Sequence, residues 1–204
     1  DFCSHSPDRL IGLPLGPMTG VEDLVSEWRR VADQGARGII MSTYPNGGTQ
    51  PSPEDDRFWE EVQDWDYPIH IHFGFMTPSP PNPTGAPTTV TGMARFTGSF
   101  LSRLGMNVFK PLADIVGSGL FERFPKLKIV AVETGIGWIP YYLEALDDTF
   151  LRIRWSAGTH LKRLPSEYFK EHLWHTFITD SHGIDNRHAI GVDHIMWSTD
   201  YPHA

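Results

Sequence analysis

The sequence predicts an α/β fold built around a parallel sheet. Short apolar runs typical of buried strands alternate along the chain with stretches whose apolar residues recur at helical spacing. This alternation is the pattern of β-α units, whose strands pair in parallel. With 204 residues, of which 40% are hydrophobic, the chain is long enough for one sizeable core. We therefore expect a single domain over residues 1–204.

Six runs have the length and composition of strands, and helices are predicted between them. The predicted strands are 9–15, 37–43, 68–74, 127–133, 173–179 and the alternating first part of 193–203. The predicted helices are a segment from Thr19 to Gly35 with capping-box spacing to Glu22, an acidic helix from Asp55 to Asp64, two helices within 94–124 broken near Gly105 or Pro111, a helix after Trp138, and a helix from Ser166 to His172. Residues 77–92 are rich in proline and are predicted to form a long loop.

Two architectures fit this order of elements. A doubly wound sheet is possible, but no Gly-x-Gly-x-x-Gly or Walker-type loop follows the first strand. A (β/α)8 barrel normally needs about 250 residues, so six strands in this length would make a barrel that lacks two strands. The residue pattern leaves both possibilities open.

Composition excludes several classes of function. A net charge of −8 gives no electrostatic footprint for nucleic acid. No apolar run approaches the length of a membrane span, and no signal-like segment opens the chain. The single cysteine, Cys3, cannot form an internal disulfide and fits a reducing compartment, so we expect a cytoplasmic protein. The chain opens without Met and ends soon after Asp200, and we expect both termini to be cut.

Metal-capable side chains lie where predicted strands end. Alternation places His70 and His72 on one face of their strand, while Glu133 and Asp200 come at the ends of two later strands. The carboxyl ends of parallel strands surround a common crevice or barrel mouth, where α/β proteins keep their chemistry. Imidazole and carboxylate together suit divalent ions such as zinc or manganese.

Each of these residues also has an ordinary structural interpretation. His72 could be a core histidine satisfied by a carbonyl, and Asp200 could be a cap. Glu133 could pair with a buried Arg or Lys, the usual arrangement of a buried acid, or could act in acid–base chemistry or substrate contact. Trp138 and His203 are candidate substrate contacts, whose alternatives are packing for Trp138 and an exposed chain end for His203.

The ordered motifs resemble those of one enzyme family. They are Pro68-Ile-His-Ile-His-Phe-Gly, Arg123-Phe-Pro-Lys-Leu-Lys-Ile-Val, Glu133-Thr-Gly-Ile-Gly-Trp-Ile-Pro and Trp197-Ser-Thr-Asp-Tyr-Pro-His. In this order they resemble the amidohydrolase-related metal-dependent enzymes of the amidohydrolase 2 type, which include aminocarboxymuconate-semialdehyde decarboxylase. The resemblance covers nearly the whole chain. It implies a distorted TIM barrel with one divalent metal, zinc first and manganese second, at the strand ends.

The resemblance also implies roles for individual residues. His72 matches a metal-binding His near the end of the fifth strand, and Asp200 matches the Asp that ends the eighth. Asp200 would bind the metal or its water and act as general base, with His70 supporting the ligands from one step deeper. The family's decarboxylases carry a catalytic His where this chain has Glu133, which resembles a hydrolase subgroup. The first-strand ligand pair of the family has no counterpart, so we expect the chain to hold strands three to eight and to lack the first two strands and the helix after the eighth.

We therefore expect an incomplete barrel from a metal-dependent hydrolase that acts on a small carboxylated or aromatic molecule. Asp200 and Glu133 are the predicted catalytic residues. Non-oxidative decarboxylation on the same metal is the alternative chemistry, and a catalytically inert scaffold is the alternative from another class. The expected partners are a small-molecule substrate, with no nucleic acid and no membrane, and a homo-oligomer is left open.

Overall fold

The structure, a computed structural model, describes residues 2–72, 105–159 and 161–202. Its strands are β1 (Ile39–Met41), β2 (Ile69–His72), β3 (Ile129–Val132), β4 (Leu173–Phe177) and β5 (Ile195–Trp197). Its α-helices are α1 (Val21–Asp33), α2 (Asp56–Trp65), α3 (Met106–Gly117), α4 (Leu120–Arg123), α5 (Ile139–Ala157), α6 (Pro165–His172), α7 (Ser181–Asp185) and α8 (Arg187–Ile190). Single 3-10 turns cover Cys3–His5, Pro53–Asp55 and Val192–His194.

The five strands form one sheet in sequence order, and every neighbouring pair is parallel. Each strand returns to its neighbour through one or more helices, as the alternating pattern predicts. The predicted α/β class is therefore confirmed, and the sheet is an open part of a (β/α)8 barrel. This order brings all five carboxyl ends to the same edge of the sheet.

The first predicted strand differs from expectation. Residues 9–15 contribute only an isolated bridge between Leu15 and Ile40, although two backbone hydrogen bonds of 2.8 Å connect Ile40 with Pro14 and Gly16. Pro14 has no N–H to donate, which limits the length of a ladder here. The stretch therefore lies beside β1 without forming a regular strand.

The two faces of the sheet have different environments. One face is covered by helices and is buried, with the register aligning Ile39, Ile69, Ile129 and Leu173 across four strands. The opposite face carries the alternate residues of each strand, among them His70, His72, Trp174, Thr176 and Met196. In a closed barrel this second face lines the interior.

The helices follow their sequence signals closely. Apolar residues spaced for one helical face bury Trp28 in α1 and Phe58 in α2, and Pro140 occupies the first turn of α5 as predicted. The expected capping box at the start of α1 is absent, because the Thr19 hydroxyl donates to the Asp23 carboxylate and Gly20 takes the cap position. The predicted loop at 77–92 lies outside the described residues. No helix in the described ranges combines the length and apolarity needed to cross a bilayer.

Candidate active site

The carboxyl ends of β2 and β3 bring a histidine and a glutamate together. Nε2 of His72 lies 3.2 Å from Oε2 of Glu133, and the two side chains are 38% and 15% exposed. His72 ends β2, and its strand neighbour on β3 is Val132, the residue before Glu133. The sequence predicted both residues at strand ends, and the adjacency of β2 and β3 makes them a pair.

Glu133 reaches this position through an unusual backbone conformation. Its φ is +58°, in the left-handed region that residues with a Cβ seldom adopt. Its N–H donates to Oγ1 of Thr176 on β4, at 2.7 Å. Thr176 was not among the residues predicted for the site. The sequence signal that could have indicated it is alternation along β4, which places its side chain on the same face of the sheet as His72.

His70 lies one step deeper on the same face. Its ring packs against the backbone of Gly38, where an added Cβ would lie 3.0 Å from Nε2 of His70. Nε2 is buried and has no hydrogen-bond partner among the described residues. Burial lowers the pKa of His70 to about 4, so the imidazole is neutral near pH 7. A neutral imidazole one step below His72 fits the predicted supporting role, which stays a prediction.

Asp200 follows β5 at the same edge of the sheet. It too has a left-handed φ, +56°, and its N–H donates to Oγ of Ser198 at 3.2 Å. Among the described residues, no three His, Cys, Asp or Glu side chains converge closely enough to hold a metal ion. The assignment of His72 and Asp200 as ligands therefore stays a prediction. His203 lies outside the described residues.

Trp138 has a packing position, and the substrate contact predicted for it stays a prediction. Its indole N–H donates to the carbonyl of Thr134 at 2.8 Å, and its ring packs between Phe109 and Tyr142. It also meets the ring of His175 edge-on, and His175 belongs to the helix-covered face of β4. Trp138 therefore lies on the opposite side of the sheet from His72. The packing alternative explains its presence in the motif.

Asp180, which sequence reasoning also missed, secures the loop that follows Glu133. One of its carboxylate oxygens accepts the N–H groups of Ile136 and Gly137, both at 2.7 Å. The other accepts the N–H of Gly183 at 2.8 Å and so caps α7. A Cβ on Gly137 would approach this carboxylate to 2.7 Å, which explains the second glycine of Gly135-Ile-Gly137. Gly137 thus accommodates a carboxylate from the protein itself.

The larger cavities among the described residues lie away from the His72–Glu133 pair. A cavity of about 660 Å³ runs between the N-terminal segment and the end of α1, with Cys3, Leu13 and Arg37 in its walls. Arg37 precedes β1, so this cavity lies toward the amino end of the strand. Metal-capable residues at strand ends, together with the parallel topology, mark the opposite edge as the candidate active site.

A parallel β/α sheet with histidine and carboxylates at its carboxyl edge defines the class of (β/α)-barrel enzymes. The chain belongs to the amidohydrolase family: the family model described as "Amidohydrolase" matches residues 1–204. The resemblance drawn from the ordered motifs is thereby confirmed.

Individual relatives are decarboxylases. The chain is 30% identical to the gamma-resorcylate decarboxylase of Polaromonas sp. over 98% of its own length and 62% of that protein. A solved dihydroxybenzoic acid decarboxylase from Polaromonas sp., with bound manganese and the inhibitor 2-nitroresorcinol, is 25% identical with a TM-score of 0.71, over 98% of this chain and 61% of that one. The 5-carboxyvanillate decarboxylase of Sphingomonas paucimobilis has the same fold at 24% identity, with a TM-score of 0.73 over 98% and 59%. The chain thus spans about 62% of the length of the first relative.

Proposed function

We propose that the protein is a non-oxidative decarboxylase of a small hydroxylated aromatic acid and depends on a divalent metal. The geometric observation that carries the proposal is the His72–Glu133 pair at the carboxyl edge of the sheet. The choice of decarboxylation as the chemistry is supported by the similarity to gamma-resorcylate decarboxylase along 98% of the chain. This replaces hydrolysis, the chemistry first expected from the sequence, as the leading candidate.

The available donors fit a hard or borderline divalent ion. His72 would supply an imidazole nitrogen from the end of β2, and Asp200, which follows β5, would supply carboxylate oxygens. Manganese accepts this mixture of ligands, and the related Polaromonas structure holds manganese, so we propose manganese in place of zinc. His72 and Asp200 would hold the ion. When bound, it would supply positive charge that orients and stabilises an anionic substrate.

Decarboxylation requires a proton at one ring carbon. The bond between that carbon and the carboxylate breaks, carbon dioxide leaves, and the carbon takes a proton in its place. Glu133 is suited to deliver it, because its carboxyl group is largely shielded from water and lies beside His72. Asp200, which follows β5, would help to fix the substrate through the ion. His70, neutral and buried, would support His72 from one step deeper on β2.

Hydrolysis remains a second candidate because of one feature of the sequence. The motif resemblance places Glu133 where the family's decarboxylases have a catalytic His, in the manner of a hydrolase subgroup. In a hydrolase, Asp200 would take a proton from water, the hydroxide formed would attack the substrate, and Glu133 would act as the second acid–base group that protonates the leaving group. The two chemistries give different products, so a direct measurement separates them.

The test is turnover of 2,6-dihydroxybenzoate by the purified protein supplied with manganese. We expect release of carbon dioxide and resorcinol in equal amounts, without incorporation of labelled water oxygen into the resorcinol. A catalytically silent protein that binds manganese and the inhibitor 2-nitroresorcinol would limit the proposal to binding. Appearance of labelled water oxygen in the product of an ester or amide substrate, without carbon dioxide release from aromatic acids, would overturn decarboxylation in favour of hydrolysis.

A further inference from the structure

The direction of the Glu133 side chain is set at the end of β3. Alternation along β3 places Ile129 and Ala131 on the helix-covered face. A strand that continued without change would place Glu133 on that same face, two residues after Ala131. Its carboxylate instead lies 3.2 Å from His72, whose side chain belongs to the other face. The reversal occurs at a single residue.

The left-handed backbone of Glu133 accounts for the reversal. A φ of +58° turns the chain out of the extended conformation directly after the last β3 residue. The last paired residues of β3 and β4 are Ala131 and His175, so the regular ladder has ended before Glu133. Its N–H therefore needs an acceptor other than the sheet, because a part-buried amide without a partner is costly.

Thr176 supplies this acceptor. Its Oγ1 receives the Glu133 N–H at 2.7 Å, across 43 residues of sequence. Thr176 lies on the same face of the sheet as His72, in register with Met196 on β5. The Thr176 hydroxyl thus takes the place of a sheet acceptor for the N–H of Glu133, the residue with the unfavourable backbone conformation.

We propose that Thr176 is a positioning residue for Glu133. Its hydroxyl holds the Glu133 peptide in the left-handed conformation and thereby directs the carboxylate toward His72. The part of this inference that concerns turnover rests on the proposed decarboxylase function. The part that concerns the Glu133 backbone rests on the structure alone.

Asp180 makes a different contribution to the same loop. It accepts the N–H groups of Ile136 and Gly137, three and four residues after Glu133, and caps α7. Loss of Asp180 would release both the loop and a helix, whereas loss of the Thr176 hydroxyl removes one hydrogen bond at Glu133. Thr176 is therefore the better position for testing how the carboxylate is directed.

The experiment compares two substitutions at Thr176. Thr176→Val keeps the shape of the side chain and removes the hydroxyl, whereas Thr176→Ser keeps the hydroxyl. In Thr176→Val we expect amide hydrogen exchange at Glu133, followed by NMR, to accelerate about tenfold, in keeping with the loss of one hydrogen bond. We expect kcat for 2,6-dihydroxybenzoate to fall about tenfold with KM nearly unchanged, because the substrate still binds but the proton donor is misdirected. Thr176→Ser should restore both quantities.

Thr149→Val is the matched control, because Thr149 is exposed on α5 and distant from the strand ends. It should leave the exchange rate and kcat at their wild-type values. Unchanged Glu133 exchange in Thr176→Val, or a wild-type kcat in that variant of an active enzyme, would overturn the positioning role. A wild-type protein without turnover would instead overturn the proposed function, and the exchange rates would still decide whether Thr176 holds the Glu133 peptide.

Discussion

Nε2 of His72 lies 3.2 Å from Oε2 of Glu133, and this contact joins two neighbouring strands at the edge where catalytic residues gather in parallel β/α folds. An acid buried in a protein usually pairs with Arg or Lys. Here the Glu133 carboxylate lies beside an imidazole, the side chain proposed to bind the metal. In the proposed reaction, a carboxylate in this position would exchange a proton with a substrate held at the strand ends.

Glu133→Gln should abolish most turnover while leaving manganese bound. The amide keeps the size of the side chain but cannot deliver a proton, so kcat for 2,6-dihydroxybenzoate should fall by about 100-fold or more. Manganese content per chain should stay within about twofold, since His72 and Asp200 are the proposed ligands. Glu144→Gln, at an exposed position of α5, is the control. Near-normal kcat in Glu133→Gln would remove Glu133 from the mechanism.

His72→Ala should weaken manganese binding by more than about 100-fold, because a direct ligand contributes more than the outer groups that cost 10–100-fold. Titration of the metal-free protein with manganese, followed by electron paramagnetic resonance, measures this directly. Asp200→Asn should weaken the same binding. His188→Ala changes an exposed histidine on α8 and should bind as the wild type does. Equal affinities in all these variants would place the metal elsewhere.

Asp180→Ala should lower the free energy of unfolding by about 2–3 kcal/mol, since three backbone N–H groups lose their acceptor. Asp180→Asn should cost less because its amide oxygen still accepts. Urea denaturation gives both values, and Asp185→Ala, exposed at the end of α7, controls for the loss of one carboxylate. If Asp180→Ala were as stable as this control, the carboxylate would not secure the loop.

The stability of the protein should fall in mild acid through His175. Burial between Phe169 and Trp138, together with the smaller effect of nearby His194, lowers the pKa of His175 from 6.5 to about 3. Between these values the unfolded chain binds a proton that the folded chain does not. The free energy of unfolding should therefore decrease as pH falls below 6.5, by at most about 1.4 kcal/mol per pH unit from this residue.

Replacement of this histidine isolates its contribution. His175→Phe retains a ring that can stack on Phe169 and has no titrating group, so its unfolding free energy should depend less steeply on pH between 6.5 and 4 than that of the wild type. His70, whose pKa is also lowered by burial, supplies a remaining slope of the same sign. Identical slopes in the wild type and His175→Phe would mean that His175 takes up its proton at the same pH in the folded protein as in the unfolded chain.

Much of the fold could be predicted because its signals are local. Short apolar runs located β1 to β5, and helical spacing located α1, α2, α5 and α6 to within a few residues. The short helices α7 and α8 were not predicted, because four or five residues carry too little periodicity. The strand expected at 9–15 forms only a single bridge to β1. Pro14 has no N–H with which to extend the ladder, and the pairing also depends on β1, which lies outside the run.

The candidate site divides in the same way. The local sequence pattern indicates which residues lie at the strand ends, so His70, His72, Glu133 and Asp200 could be named from the sequence. Which of them meet was decided by the order of the strands, because the adjacency of β2 and β3 brings His72 to Glu133. The direction of Glu133 was decided by one backbone dihedral, and an alternating pattern extended past the strand would have placed it on the wrong face. That dihedral is held by a hydroxyl 43 residues away, a contact that exists only once β3 and β4 have paired.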